Sequence, residues 1–276
     1  MSYDGSPVLY LIPTPIGNMD DMTFRAVNVL RSVEVVFSED TRVTGLLFKH
    51  FGIKKKLIAN HNFNENDNKD KLLDYLSNGY DVGIVSDRGT PTISDPGYAL
   101  VLHAIKNGYN VVSLPGATAF VPALTVSGLD ISHFTFYGFL NNKSSKRRKE
   151  LEDLRFNKET LIFYESPHRL KEMLNDVLVV LGNRKISISR EITKKYEEVI
   201  RGTVTEVIDC LNDIKGEIVV VVSGNYIQEQ DDMNIVECVD FYISLGNSPM
   251  NAIKMVARDR GVSKNVVYDE YHNLKG

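Results

Sequence analysis

The sequence predicts an α/β protein made of two α/β domains followed by a small helical module. Three observations carry that expectation. Short apolar runs of strand length alternate with helical periodicity through residues 8–113, the pattern of a largely parallel sheet covered by helices on both faces. A second alternation follows Pro115-Gly116-Ala117-Thr118-Ala119. From residue 235 onward the strand-like runs stop and only helical patterning remains.

In the first half, residues 8–12 read as a strand, 23–31 as a helix and 33–37 as a strand. A helix over 41–51 is closed by Gly52, in the position a helix C-terminus favours. Residues 56–59 form the next strand and 67–77 the next helix, ended by Asn78-Gly79. A strand at 82–85, a helix at 98–106 and a strand at 110–113 complete a first domain over residues 1–116.

The second domain, 117–224, carries strand candidates at 134–137, 160–164, 185–190, 197–201 and 217–222, with helices at 146–154, 168–181 and 204–211. The close spacing of 197–201, Gly202 and the final strand predicts a mixed sheet. Residues 225–232 are polar and linker-like. The module over 232–276 has helices at 235–245, 250–260 and 264–272. Ser248 before Pro249 is a strong helix start. Ala252, Val256 and Ala257, then Val262 and Val266 across Gly261, fit a helix–turn–helix. A plain helical appendage making dimer contacts fits the same residues.

Of the 276 residues, 43% are hydrophobic and 25% charged, as in soluble globular proteins. The longest apolar runs, such as 218–222, are strand-length and predict no membrane span. The first residues lack the basic and apolar regions of a secretory signal, and the two cysteines have no metal-ligand spacing. A cytoplasmic protein is expected. The net charge of −4 argues against a coat for nonspecific nucleic-acid binding but permits a local basic face. Lys143, Lys146, Arg147, Arg148 and Lys149 form one such patch, which a solvated helix start also explains.

The motifs of several chemistries are missing. There is no G-x-G-x-x-G after the first strand, no P-loop, no H-E-x-x-H, no paired C-x-x-C, no EF-hand loop and no G-x-S-x-G elbow. What stands out instead is a set of loops at strand ends. Ser86-Asp87-Arg88-Gly89-Thr90-Pro91-Thr92-Ile93-Ser94-Asp95-Pro96-Gly97 leaves the 82–85 strand. Its glycines permit close approach of backbone to a ligand and its prolines stiffen it. A tight connection with Asp95 capping the next helix is the plainer alternative. Pro13-Thr14-Pro15-Ile16-Gly17-Asn18, with Asp20 or Asp21 capping a helix, leaves the first strand. Ser38-Glu39-Asp40-Thr41-Arg42, Leu114-Pro115-Gly116-Ala117-Thr118-Ala119 and Tyr164-Glu165-Ser166-Pro167-His168-Arg169 leave three others. Loops at the carboxyl edge of a parallel sheet can line one ligand cleft between the halves. Rich in Gly, Pro and Thr and poor in acid–base groups, they suit binding and positioning more than covalent or metal catalysis.

These five motifs, in this order over residues 8–224, resemble the ribosomal RNA small-subunit methyltransferase I family within the tetrapyrrole methylase superfamily. The helical tail is similar to the extra C-terminal module of that family. The resemblance implies S-adenosylmethionine in a cleft between two α/β domains, and 2′-O-methylation of a cytidine ribose in the decoding region of 16S rRNA, in the small ribosomal subunit. It implies a homodimer. Cofactor contacts would come from Ile16, Ser86, Asp87, Gly89, Thr90, Pro91, Ile93, Pro115, Thr118, Ala119, Tyr164, Glu165 and Gly202. Arg88 departs from the pattern, because the family commonly has a small residue there; its side chain is expected to point away from a sulfonium.

A ribose hydroxyl is a weak nucleophile, so a proton acceptor or a cation beside the developing alkoxide would help. Asp87, His168, Arg169 and the Arg190-Glu191 pair stand at loop ends, and His168 is the expected acceptor, although a helix-capping role fits it equally. RNA contact is expected from Lys146, Arg147, Arg148, Arg169 and Arg190, and from Lys254, Arg258, Arg260 and Lys264 of the tail. Two other functions fit parts of the same pattern: methylation of a tetrapyrrole-type small molecule, and a nonenzymatic nucleic-acid-binding regulator.

Overall fold

Val8–Leu11, Val35–Ser38 and Val82–Val85 are buried at every position. Strands with no exposed face must be covered on both sides, as the central strands of a parallel sheet are. The computed structural model, which describes residues 5–61, 64–211, 214–225, 234–244 and 247–273, has that arrangement. The chain divides into two compact units, Met1–Val126 with Ser189–Glu198, and Ser127–Ile188 with Val199–Gly276. The division thus falls after Val126, later than the expected boundary at residue 117, and a hairpin tip joins the first unit.

The first unit holds strands β1 (Val8–Leu11), β2 (Val35–Ser38), β3 (Lys56–Ala59), β4 (Val82–Val85) and β5 (Asn110–Ser113), in the order β3-β2-β4-β1-β5. All four pairings are parallel. Helices α1 (Phe24–Ser32) and α2 (Thr41–Phe51) supply Ala26, Leu30 and Phe48 to one core, with Val8, Tyr10 and Val36 of the sheet. Helices α3 (Asn68–Ser77) and α4 (Tyr98–Lys106) supply Leu72, Leu76, Leu100 and Ala104 to the other, with Leu9, Phe37 and Ile84. The period-two alternation of strand side chains divides β1 and β2 between the two cores.

The capping residues differ from expectation. Thr23, not Asp20 or Asp21, caps α1 by accepting the Ala26 N–H. Gly97, not Asp95, holds the cap position of α4, and the carboxylate there comes from Glu65, whose Oε1 accepts the N–H groups of Gly97 (2.7 Å) and Ala99 (3.0 Å). A short helix, α5 (Phe120–Thr125), was not anticipated. It has six residues, a proline inside and no side-chain cap, so little local signal marks it.

The second unit contains β6 (Phe134–Phe139), β7 (Thr160–Glu165), β8 (Lys185–Arg190), β9 (Glu198–Thr203) and β10 (Ile218–Val222), in the order β6-β7-β10-β8-β9. β6 pairs parallel and β10 antiparallel with β7, so the sheet is mixed as the spacing predicts. Helices α6 (Ser144–Asp153), α7 (Pro167–Leu181) and α8 (Val204–Cys210) cover one core of this sheet, including Leu151, Met173, Leu174, Val177 and Val207.

Helices α9 (Ile235–Ser244), α10 (Pro249–Asp259) and α11 (Lys264–Asn273) pack on their own small core of Cys238, Val239, Tyr242, Ile253, Val256, Val267 and Tyr271. Gly261 takes the left-handed turn between α10 and α11, as the helix–turn–helix pattern requires. Arg155, 3% exposed, reaches Asp259 at 3.0 Å, and Arg258 reaches Glu152 at 2.6 Å, so this module is bolted to the end of α6. The polar stretch expected as a linker lies almost wholly outside the described residues. Among the described residues no helix is long and apolar enough to cross a membrane.

Candidate functional site

In the first unit four loops leave the carboxyl ends of β1, β2, β4 and β5, and hydrogen bonds knit them together. The Thr14 N–H donates to Gly89 O at 2.9 Å and the Gly89 N–H donates back to Thr14 O at 3.0 Å. Thr14 Oγ1 also donates to Ser86 O (3.1 Å), and Thr90 Oγ1 donates to Ala117 O (3.1 Å). Pro13 occupies the space beside Gly116, where an added Cβ would sit 2.6 Å from Pro13 Cβ. The β2 loop joins through Asp87: its Oδ1 accepts the Asp40 N–H at 3.0 Å, and its own N–H points to Glu39 Oε2 at 3.3 Å.

The backbone of the β4 loop is bent at three successive points. Gly89 takes φ +79°, and Thr92 and Ser94 take φ 75° and 64°, left-handed values that non-glycine residues seldom adopt. Such conformations persist only where surrounding bonds over-determine them, and they gather at ligand sites. Ile16 and Pro91 are buried behind this surface, while Ile93 is 41% exposed. Pro115 is exposed, and Thr118 and Ala119 are half-buried where the β5 loop enters α5. Ile16, Ser86, Asp87, Gly89, Thr90, Pro91, Ile93, Pro115, Thr118 and Ala119 therefore lie on loops joined along one sheet edge. Arg88 is exposed.

The electrostatics of this edge were not anticipated. Burial, with the nearby charges of Glu39 and Asp87, pushes Asp95 up to about 6 against a lowering hydrogen bond from Ser86. Burial likewise raises Glu39, against a bond from the Asp87 backbone, and raises Asp87, against one from the Asp40 backbone. Asp40, by contrast, is held at about 2 by its hydrogen bonds to Arg42. Three partly desolvated carboxylates on adjoining loops make an environment that favours a cationic ligand. Glu39 and Asp87 stand one and two residues past the ends of β2 and β4, but nothing local marks Asp95, ten residues past β4, as their neighbour.

The remaining expected residues fall elsewhere. Arg190, in the first unit, is paired with Glu198 at 2.6 Å. In the second unit, Glu165 is buried, its Oε1 accepting the Ser166 N–H (2.7 Å) and Arg169 (2.5 Å), while its Oε2 has no hydrogen-bond partner. Tyr164 packs edge-on against Phe136 and Phe139, with ring centroids 5.0 and 5.5 Å apart. His168 is exposed in the first turn of α7. Gly202 lies on β9, where an added Cβ would stand 3.0 Å from Glu206 Oε2.

The basic patch needs one correction. Arg147 does not stand on the surface: it is 1% exposed, its Nε bound to Asp176 Oδ2 at 2.7 Å. Arg148 reaches the other oxygen of Asp176 at 2.6 Å while half exposed, and Lys146 remains exposed. Burial would raise Asp176, but the bonds from Arg148, Arg147 and Ser144 outweigh it and hold the carboxyl below its ordinary value. Arg147 precedes buried Leu151 by one helical turn, so it shares the inward face of α6. In the tail, Arg258 is likewise engaged, with Glu152.

Residues 8–208 match the family of tetrapyrrole (corrin/porphyrin) methylases. Among curated relatives, the ribosomal RNA small subunit methyltransferase I of Halalkalibacterium halodurans is 46% identical over 98% of this chain and 96% of its own length. That of Bacillus subtilis is also 46% identical, over 99% and 97%. Solved structures share the fold at low identity. The methyltransferase CobJ has a TM-score of 0.60 at 19% identity over 80% of this chain and 95% of its own. A cobalt precorrin-4 methyltransferase has 0.58 at 20% identity, over 78% and 94%. The chain belongs to the tetrapyrrole methylase family and, within it, to the ribosomal RNA small subunit methyltransferase I group.

Proposed function

We propose that this chain transfers a methyl group from S-adenosylmethionine to the ribose 2′-oxygen of a cytidine in the decoding region of 16S rRNA. The observation that carries the reading is 46% identity over 98% of the chain to a ribosomal RNA small subunit methyltransferase I. The match runs through the helical tail, which methylation of a tetrapyrrole-type small molecule would leave without a role.

The residues of the loop edge fit the cofactor. S-adenosylmethionine, when bound, supplies an electrophilic methyl on a cationic sulfur and carries an ammonium group besides. The carboxylates of Glu39, Asp87 and Asp95 favour positive charge, and Gly89 presents backbone without a side chain. Ile16, Ser86, Thr90, Pro91, Ile93, Pro115, Thr118 and Ala119 would complete the walls. In the second unit, Tyr164, Gly202 and the orphaned Oε2 of Glu165 are the candidates for adenosine contact. Holding a nucleophile in line at near-attack distance can supply roughly 7–11 kcal/mol of barrier reduction.

His168 is the proposed proton acceptor for the ribose hydroxyl. Lys146, Arg148 and Arg169 are proposed to meet RNA phosphate, with Arg147 acting instead through the packing of α6. In this reading the protein works in the cytoplasm, as a homodimer, on the small ribosomal subunit. The test is to map 2′-O-methylation on 16S rRNA from cells lacking this chain, then to add purified protein and S-adenosylmethionine to 30S subunits from those cells. One decoding-region cytidine should lose its methyl group in the cells and regain it in the tube. Methylation of a precorrin with no change in the rRNA would overturn the reading.

A further inference from the structure

Strands β8 and β9 are joined by a tip, residues 191–197, of which only Glu191 has an expected role. Glu191 and Thr193 both take left-handed backbone, φ 50° and 69°, with no glycine to make it easy. The tip is held against the Pro13–Asn18 loop, since Thr193 Oγ1 accepts the Asn18 N–H at 3.1 Å. Lys194 lies across Gly17 so closely that an added Cβ there would sit 2.5 Å from Lys194 Cγ and 2.9 Å from its Cε. The Lys194 ammonium meets Glu191 at 2.8 Å, with both side chains about four-fifths buried.

The acidic residues in and beside the tip each hold a partner within it, although Glu197 and Glu198 also remain exposed. Glu191 holds Lys194, Glu197 accepts the Thr193 N–H at 2.7 Å, and Glu198 holds Arg190 at 2.6 Å. Between them the tip shows Tyr196, 66% exposed, with the Lys195 ammonium 5.5 Å from its ring centroid. An aromatic face beside a lysine is the pair that single-stranded RNA uses, one for base stacking and one for phosphate.

We propose that the β8–β9 tip is an RNA-binding element, in which Tyr196 stacks on an unpaired base, Lys195 takes an adjoining phosphate and Lys194 fixes the tip on the Pro13–Asn18 loop. The proposal rests on the rRNA reading above and deepens it. It places a nucleotide clamp on the same loop that carries Ile16 and is bridged through Thr14 to Gly89. The bent backbone at Glu191 and Thr193 then has a purpose, which is to leave Lys195 and Tyr196 exposed while the Lys194 stem stays anchored.

The test uses the full chain, with 30S subunits lacking the methyl group as the RNA. Tyr196→Ala should weaken subunit binding and raise KM by about 5- to 150-fold, with kcat changed far less. Tyr196→Phe should restore binding, because stacking needs the ring and not the hydroxyl. Lys195→Gln should reduce the salt slope of binding by about 0.7, the loss of one phosphate contact on a single strand. Lys194→Met, which keeps the stem over Gly17 but removes the ammonium that Glu191 holds, should weaken subunit binding and lower the melting temperature as the tip loosens. If the wild type methylates 30S subunits while Tyr196→Ala and Lys195→Gln bind them normally, the inference is overturned alone. A wild type that leaves 30S subunits unmethylated overturns the functional reading, and this inference with it.

Discussion

Thr14 and Gly89 exchange both of their backbone hydrogen bonds, at 2.9 and 3.0 Å, although 75 positions separate them in the chain. This one bridge joins the loop after β1 to the loop after β4. With Thr90 bound to Ala117, it fixes three strand ends as a single surface. A site made of loops gains rigidity this way, since each loop is held by its neighbours as well as by its own strand.

Gly89 is where that surface is most exposed to a test. Its φ of +79° disfavours any side chain, while the space beside it is ordinary, with Ile16 Cγ2 at 3.4 Å from an added Cβ. Gly89→Ala should therefore destabilise by about 1–2 kcal/mol through backbone strain alone. Gly79 provides the control, because its φ of +84° is similar and nothing lies within 4 Å of an added Cβ. Gly79→Ala should lower the melting temperature comparably and leave calorimetric cofactor affinity intact, whereas Gly89→Ala should weaken both. Equal cofactor affinity in the two variants would remove Gly89 from the ligand surface.

Asp95 should make cofactor binding depend on pH. Its carboxyl is raised to about 6, chiefly by burial and then by Glu39, so the folded protein retains a proton there that the unfolded chain releases earlier. The associated stability is present below the ordinary carboxylate range and is lost as pH rises through about 6. A cationic cofactor prefers the ionised form. At pH 5 Asp95 is mostly neutral, so affinity for S-adenosylmethionine should be weaker than at neutral pH, by up to about tenfold if only the ionised form binds. Asp95→Asn should flatten that dependence and raise the melting temperature at pH 7. Titration calorimetry across pH 5–8 checks it, and an unaltered pH profile in the variant would discard the role.

The parts of the molecule that were legible in the sequence are those fixed by nearest neighbours. Gly52 takes the left-handed cap of α2 at φ 63°, and α2 ends where the sequence says it should. β3, β4, β5 and β8 keep their expected limits, β4 because its apolar run is bounded by turn residues and β8 because Ile186 and Ile188 alternate with polar neighbours. What escaped depends on distant partners. The cap of α4 comes from Glu65, which no local motif ties to Gly97. The burial of Arg147 depends on Asp176, 29 positions away, and a run of four basic residues, 146–149, hides the inward spacing of Arg147 and Leu151. The tip at 191–197 carries two left-handed residues with no glycine to announce them. For the site, the loops were legible and their electrostatics were not, since a raised carboxyl reflects burial and only the fold decides burial.

Arg147 and Arg148 are adjacent and equally charged, yet they should respond to substitution in opposite ways. Arg147 is 1% exposed and bound to Asp176, so Arg147→Met leaves a buried carboxylate with one cation fewer, a change that costs about 3–5 kcal/mol when a buried pair is broken. The double variant Arg147→Met with Asp176→Leu removes both charges and should recover most of that loss. Arg148 is half exposed, and Arg148→Gln, which leaves Asp176 bound to Arg147, should cost less stability than Arg147→Met. It should instead reduce the salt slope of 30S binding, by about 0.7–0.9 for one phosphate contact. Acid melting gives a second readout. Asp176 lies below its ordinary value, so its contribution is present above the ordinary carboxylate range and is lost as pH falls through the lowered value. The Arg147→Met protein should therefore lose less stability on acidification than the wild type. An Arg147→Met protein that melts normally but binds 30S subunits with a smaller salt slope would return Arg147 to the RNA-facing surface.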